Sequence, residues 1–160
     1  MIDKRNAWGV SIFCDDIRHE VAGKLSLVGV YGPDMVMPGE LPIMYPKLGI
    51  FITYYEIVNT FSDNLSLRIS IETKDGENVI QDTMIDRKDF ASARVAGDEA
   101  IKGLLDPDRV NVIRIPIIFS PFSIPGECLV KVRMHCGDVT TKLGILWIRK
   151  LSPKDNIQFS

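Results

Sequence analysis

Between Cys14 and Gly32 the sequence reads CDDIRHEVAGKLSLVGVYG, and its first seven residues hold a thiol, three carboxylates and an imidazole: Cys14, Asp15, Asp16, His19 and Glu20. Two chemistries use such groups. On a helical turn Asp15 and His19, or Asp16 and Glu20, share a face at i, i+4 spacing, as ligands of a hard cation or of zinc do. Alternatively Cys14 acts as a nucleophile, with His19 or His135 as its base and a neighbouring acid orienting that base. The spacing matches no strong metal motif, however, and carboxylates beside a thiol raise its pKa and disfavour the thiolate. A structural role fits the same residues better. Asp15 or Asp16 would cap a turn, Arg18 would pair with a carboxylate, and Glu20 and Lys24 would complete the charged network. On this reading no residue is assigned as catalytic or as a metal ligand, and Asp16→Ala is expected to cost stability, as a lost cap, before it costs any activity.

A second cluster lies near the C-terminus. If Gly137-Asp138 forms a two-residue turn, Lys131, Arg133, His135 and Lys142 share the outer face of a hairpin, with Arg133 opposite Lys142. Like charges facing one another are destabilising unless an acid or an anionic ligand stands between them, which makes the four a candidate anion-binding set. The alternative is a solvated face balanced by acids from a neighbouring strand. No phosphate-binding loop, dinucleotide fingerprint, G-x-S-x-G, H-E-x-x-H or paired C-x-x-C occurs, and no cofactor is expected.

The bulk of the chain nominates few partners. Lysine and arginine number 19 against 21 aspartates and glutamates, so the excess of positive charge that marks nucleic-acid binders is missing. The opening MIDKRNAWGVSIF lacks the continuous apolar stretch of a signal peptide, and no apolar run approaches the roughly 18–20 residues of a spanning helix. The expected location is the cytoplasm, or a virion if the chain is phage-encoded, with no membrane partner. Three cysteines, Cys14, Cys128 and Cys136, form an odd and sparse set that suits reduced core-filling thiols. At 160 residues one domain is expected over residues 1–151, with 152–160 as a tail.

The elements that would position these groups read mostly as strands. Residues 8–14 are apolar and rich in β-formers, and the charged knot 15–23 then forms a single helical turn. Lys24 to Tyr31 alternates as a strand. Pro33, Pro38, Pro42 and Pro46 exclude a helix or central strand from 32–47, leaving a crossover or edge segment whose Met35, Met37 and Met44 cover the core or form a contact surface. Residues 48–55 are apolar on both faces, so this strand is central or lies beneath another layer on each side. Leu65, Leu67, Ile69 and Ile71 alternate with polar residues and lead through Asp75-Gly76 into a strand over 79–85. The register of this hairpin stays open: one choice sets Ile69 opposite Asp82, and another, bulged, pairs Arg68 with Asp82.

Asp86 to Asp108 breaks the pattern, with a short helix expected from about Asp98 to Leu105. Ile113, Ile115, Ile117 and Phe119 point one way along the next strand. In the final hairpin Cys128 is expected opposite Trp147, Val130 opposite Ile145 and Val132 opposite Leu143. The sum is an all-β fold, an antiparallel β-sandwich of about eight strands with one short helical insert near residues 86–108.

The run Ile12-Phe13-Cys14-Asp15-Asp16-Ile17-Arg18, followed by Glu20, Gly23-Lys24, Ser26-Leu27, Gly29 and Tyr31, resembles the N-terminal signature of an uncharacterised family of short bacterial and phage proteins. Pro125-Gly126-Glu127 ahead of a terminal hairpin is similar to that family too. The resemblance implies a bacterial or phage origin and transfers no activity or binding residue. The function expected first is therefore a non-enzymatic protein-interaction or assembly module, a phage structural component among the options, acting through a protein partner or self-association. A small anionic-ligand binder is the second expectation. A metal- or cysteine-dependent hydrolase using Cys14 to Glu20 is the third.

Overall fold

A computed structural model of the protein describes residues 6–57, 64–87 and 110–156. Among these residues there are eleven strands where about eight were expected. The first half of the chain carries β1 (Ala7–His19), β2 (Leu25–Val30), β3 (Asp34–Met37), β4 (Ile43–Tyr45), β5 (Leu48–Ile57) and β6 (Leu65–Thr73). The second carries β7 (Gly76–Ile85), β8 (Val110–Phe119), β9 (Phe122–Ile124), β10 (Cys128–Cys136) and β11 (Val139–Lys150). One sheet runs β2-β1-β5-β8, a second runs β3-β11-β10-β6-β7, and β4 pairs with β9 in a small third sheet. The fold is all-β, and the two large sheets pack face to face as a sandwich over one apolar core.

Strand periodicity builds that core. Leu48, Ile50, Ile52 and Tyr54 of β5 are fully buried from one side, and Leu65, Leu67 and Ile69 of β6 with Val130, Val132 and Met134 of β10 answer from the other. Each set occupies alternate positions, which is what places it on a single face. Cys128 and Cys136 stand in the same buried row. Met35 and Met37 enter the core from β3, whereas Met44 is exposed. β1 and β11, of different sheets, approach each other closely where Gly9 and Gly144 sit. A Cβ on Gly9 would lie 2.7 Å from Leu143 Cδ2, and one on Gly144 would lie 2.9 Å from Ser11 Cβ, so β1 and β11 meet only because neither residue carries a side chain.

Three sequence expectations are corrected, and one register left open is resolved. First, the sandwich is not purely antiparallel: β3 pairs parallel to β11, from Trp147↔Asp34 to Lys150↔Met37. The proline-bearing segment after β2 crosses from one sheet to the other and lays β3 beside the last strand, where backbone bonds from Trp147 to Pro33 and from Leu151 to Met37 frame the pairing.

Second, residues 15–19 are not a helical turn. β1 continues through them, paired with β2 as Asp16↔Val28, Arg18↔Ser26 and His19↔Leu25. That ladder satisfies the backbone groups a cap would have served, and the short 3-10 turn at Val21–Gly23 has no side-chain cap.

Third, the β6–β7 hairpin turns at Lys74-Asp75, with Thr73 opposite Gly76, and a bulge between Ile69 and Ser70 sets Arg68 opposite Asp82. The bulged alternative is therefore the one adopted.

Fourth, the β10–β11 hairpin follows the expected register only near its turn, where Arg133 faces Lys142 and Met134 faces Thr141. A shift between Val132 and Arg133 then moves the rest by one, so Cys128 faces Ile148 and Val130 faces Leu146. Leu146 and Ile148 are consequently buried, while Ile145 and Trp147, expected inside, are exposed.

The helix expected over 98–105 lies outside the described residues, as does most of the 86–108 insert. Of the segment expected as a tail, Pro153–Asn156 forms a 3-10 turn. Its Asp155 accepts hydrogen bonds from both terminal nitrogens of Arg149, each at 2.7 Å, and Arg149 Nε donates to Asp34 of β3 at 2.7 Å.

Candidate functional site

The charged knot is dispersed by its own strand. Alternation along β1 sends consecutive residues to opposite faces, so Asp15 and Asp16 acquire different partners. The Tyr31 hydroxyl donates to the Asp15 carboxylate, and the Tyr45 hydroxyl, 3.4 Å from that carboxylate and 3.1 Å from the Tyr31 oxygen, has one proton to give to either. Asp16 accepts from Lys47 Nζ at 2.9 Å and from Arg18 Nε at 3.3 Å, and the Lys47 bond is the main reason its carboxyl titrates below the usual aspartate value. Arg18 thus pairs with a carboxylate as expected. The partner that sequence reasoning missed is Lys47, 31 residues away. Glu20 and Lys24 take no side-chain part in this network among the described residues.

Cys14 is fully buried, and its Sγ lies 3.7 Å from the Gly49 carbonyl oxygen. Burial, reinforced by Asp15 and Asp16, pushes the thiol's pKa up. His19 stands five residues further along an extended strand, roughly 15 Å on at strand rise, and His135 belongs to the other sheet. The geometry gives a Cys14 nucleophile no base. Among the described residues no group of three or more His, Cys, Asp or Glu is arranged to hold a metal ion.

The basic hairpin face is balanced by its neighbours. Lys131 pairs with Glu72 of β6, and Arg133 pairs with Glu77 of β7. Arg68, opposite Arg133, has its own acid in Asp82 at 2.6 Å. His135 Nδ1 lies 2.9 Å from Thr140 Oγ1, its Nε2 is buried without a partner among the described residues, and burial with nearby Arg68 lowers its pKa. Of the four candidate residues, Lys131 and Arg133 have acid partners, His135 meets the Thr140 hydroxyl, and Lys142 has no side-chain partner among the described residues. The face is a ladder of ion pairs, and the acids that neutralise it come from strands whose positions the sequence left open.

What the knot does build is an arm. Cys14 is the last residue of β1 to pair with β5, opposite Gly49, and is also paired with Val30 of β2. Beyond it β1 is hydrogen-bonded to β2 alone, and this two-stranded arm folds back over the outer face of β5. Gly49 permits the fold: a Cβ there would lie 2.9 Å from Cys14 Sγ and 3.1 Å from Ile17 Cγ1. Gly29 has a related role on β2. Its φ of +64° suits glycine, and a Cβ there would strike the Asp15 carboxylate.

Between the arm and the sheet lies a cleft of about 760 Å³, within the size range of small-ligand sites. Leu25 and Leu27 wall it on the arm side, with His19 and Lys24 beside them. Phe51, Thr53 and Tyr55 of β5 form the opposite wall together with Arg114 and Pro116 of β8, which lie opposite Thr53 and Phe51 in the ladder. No acidic side chain lines it among the described residues, and neither Lys24 nor Arg114 has a carboxylate partner there. The sequence carried one signal for this site: the outer positions of β5, Phe51, Thr53 and Tyr55, are too apolar for a solvated face.

These features define the class of protein, a two-layered β-sandwich bearing an open, cation-flanked cleft on the outer side of one sheet. A family model described as a family of unknown function (DUF6941) matches residues 9–138, from the start of β1 to the β10–β11 turn, and the chain belongs to that family. Membership accords with the resemblance of residues 12–31 to an uncharacterised family. No curated protein matches the chain closely enough to count as a relative.

Proposed function

We propose that the protein works by binding rather than by catalysis, and that its binding element is the cleft beneath the β1–β2 arm. One observation carries this reading: the cleft is lined by Leu25, Leu27, Phe51, Tyr55 and Pro116, apolar groups held open to solvent instead of closed into the core. Burying such surface against a ligand is favourable by roughly 25 cal/mol per Å². The polar groups among them supply orientation. N-phenyl-1-naphthylamine, an uncharged fluorophore that brightens in apolar surroundings, tests the proposal. Saturable brightening is expected, lost in Phe51→Asp and kept in Trp147→Ser, which alters an exposed aromatic on the other sheet. No brightening, or equal loss in both variants, would count against the cleft.

A second reading is an interaction or assembly module that meets a second copy of the chain. Its support is the exposed apolar strip next to the cleft, where Trp8, 45% exposed, stacks on Tyr55 at 5.5 Å between ring centroids and Val10 and Val112 are exposed beside them. A strict monomer in sedimentation at micromolar concentration would remove it. The bacterial or phage source, and with it a virion location, belongs to this proposal and rests on the resemblance alone, while a cytoplasmic location stays an expectation of the sequence.

A further inference from the structure

We infer that the ligand of this cleft is a small amphipathic anion, a molecule with a carboxylate or phosphate head on an apolar body. The inference rests on the cleft being the binding element and adds what it selects. Cations stand on both walls, Lys24 on the arm and Arg114 on the sheet, across a gap otherwise lined by hydrocarbon, by the His19 imidazole and by Thr53.

Several cations elsewhere on this protein are neutralised by acids, Lys142 being one exception among the described residues. Lys131 has Glu72, Arg133 has Glu77, Arg68 has Asp82, Lys47 has Asp16, and Arg149 has both Asp34 and Asp155. The cleft departs from that habit: Arg114 and Lys24 have no carboxylate partner among the described residues. Glu20, the nearest acid in sequence to Lys24, does not line it. In a chain of formal net charge −2 this is a local positive field against an apolar surface. An anionic head would supply the missing counter-charge to Arg114, whose planar fork suits carboxylate and phosphate oxygens. The apolar body would then cover Leu27, Phe51 and Pro116, excluding water from the pair and strengthening it. A cationic amphiphile would meet repulsion from both walls. A neutral one would bind through the body alone.

Three eight-carbon probes separate head from body: octanoate, 1-octanol and octylammonium, titrated by calorimetry against the full chain. Octanoate is expected to bind about tenfold or more tightly than octanol, one charge-assisted hydrogen bond being worth at least that, and octylammonium more weakly than either. Arg114→Gln, at an exposed position that leaves the core intact, is expected to remove the advantage of octanoate while leaving octanol unchanged. Octyl phosphate in place of octanoate reports which head is preferred, and either preference agrees with the inference. Equal binding of octanoate and octanol, or an octanoate affinity indifferent to Arg114→Gln, overturns the inference, yet leaves the cleft as binding element if Phe51→Asp abolishes both. If none of the probes binds, both readings fall.

Discussion

Asp15 and Asp16 are neighbours in sequence with separate duties. Asp15 serves two phenols and Asp16 serves two cations. Because the Asp16 carboxyl is held below its ordinary value, chiefly by the Lys47 bond, its pairing stabilises the fold above the unfolded aspartate range, near pH 4, and is lost as pH falls through the lower folded-state value. Replacing Lys47 by methionine should therefore raise the Asp16 titration midpoint toward that of a free aspartate, as read by NMR carboxyl shifts; an unmoved midpoint would show that Arg18 suffices. Glycines give a second residue-scale test. Gly23 and Gly29 share nearly the same positive φ, +70° and +64°, but a Cβ at Gly23 meets open space while one at Gly29 meets the Asp15 carboxylate. Denaturant unfolding should show Gly23→Ala losing about 1–2 kcal/mol for the left-handed backbone, and Gly29→Ala losing distinctly more, because Asp15 must also release Tyr31 and Tyr45. Of the residues singled out from sequence, Arg18 was legible as a partner for a neighbouring acid because that acid is two positions away. Lys47, Tyr45 and Tyr31 were not, since nothing local announces a contact 16 to 31 residues distant.

At the scale of elements, alternation revealed β5, β6 and β10 because one-face burial writes a period of two into the sequence. It also marked β5 as central or covered on each side: β5 lies between β1 and β8, and the β1–β2 arm, folded back across Phe51 and Tyr55, covers part of its outer face. The cleft itself was illegible, being a meeting of residues 19–27, 51–55 and 114–116 created by a bend in β1. The bulge in the final hairpin was equally hidden: Leu143 is the extra residue, inserted between the Lys142–Arg133 and Gly144–Val132 pairs. Its neighbour Gly144 lies against Ser11 of β1, so the bulge and the close approach of the sheets occur together. Gly144→Ala is expected to cost about 1–3 kcal/mol as an overpacked contact, and Ser11→Gly in the same chain should recover part of it by removing the atom struck. A loss that Ser11→Gly leaves untouched would place the cost elsewhere, in the bulge backbone.

The molecule as a whole is stitched across its sheets by ionic groups that its apolar pattern gave no reason to expect. Glu56, nearly buried at the end of β5, receives Arg87 from beyond β7 at 3.0 Å, Tyr54 at 3.4 Å and Asn111 of β8 at 3.4 Å. One carboxylate thus joins the chain leaving the second sheet to the chain entering the first. Removing a partner from a buried pair is costly, so Glu56→Ala should lower the unfolding free energy by on the order of 3 kcal/mol, measured by denaturant titration. A loss under 1 kcal/mol would mean that water replaces the carboxylate freely. The parallel seam between β3 and β11 bears on a different matter, the order of events at the ribosome. Asp34 and Arg149, which bridge that seam, are 115 residues apart, an interval of roughly 6–23 s at ordinary synthesis rates of about 5–20 residues per second. Throughout it β3 has left the tunnel with its partner unmade, and Met35 and Met37 are without the layer that buries them. The nascent chain must therefore hold an apolar edge unpaired until the last of these strands emerges.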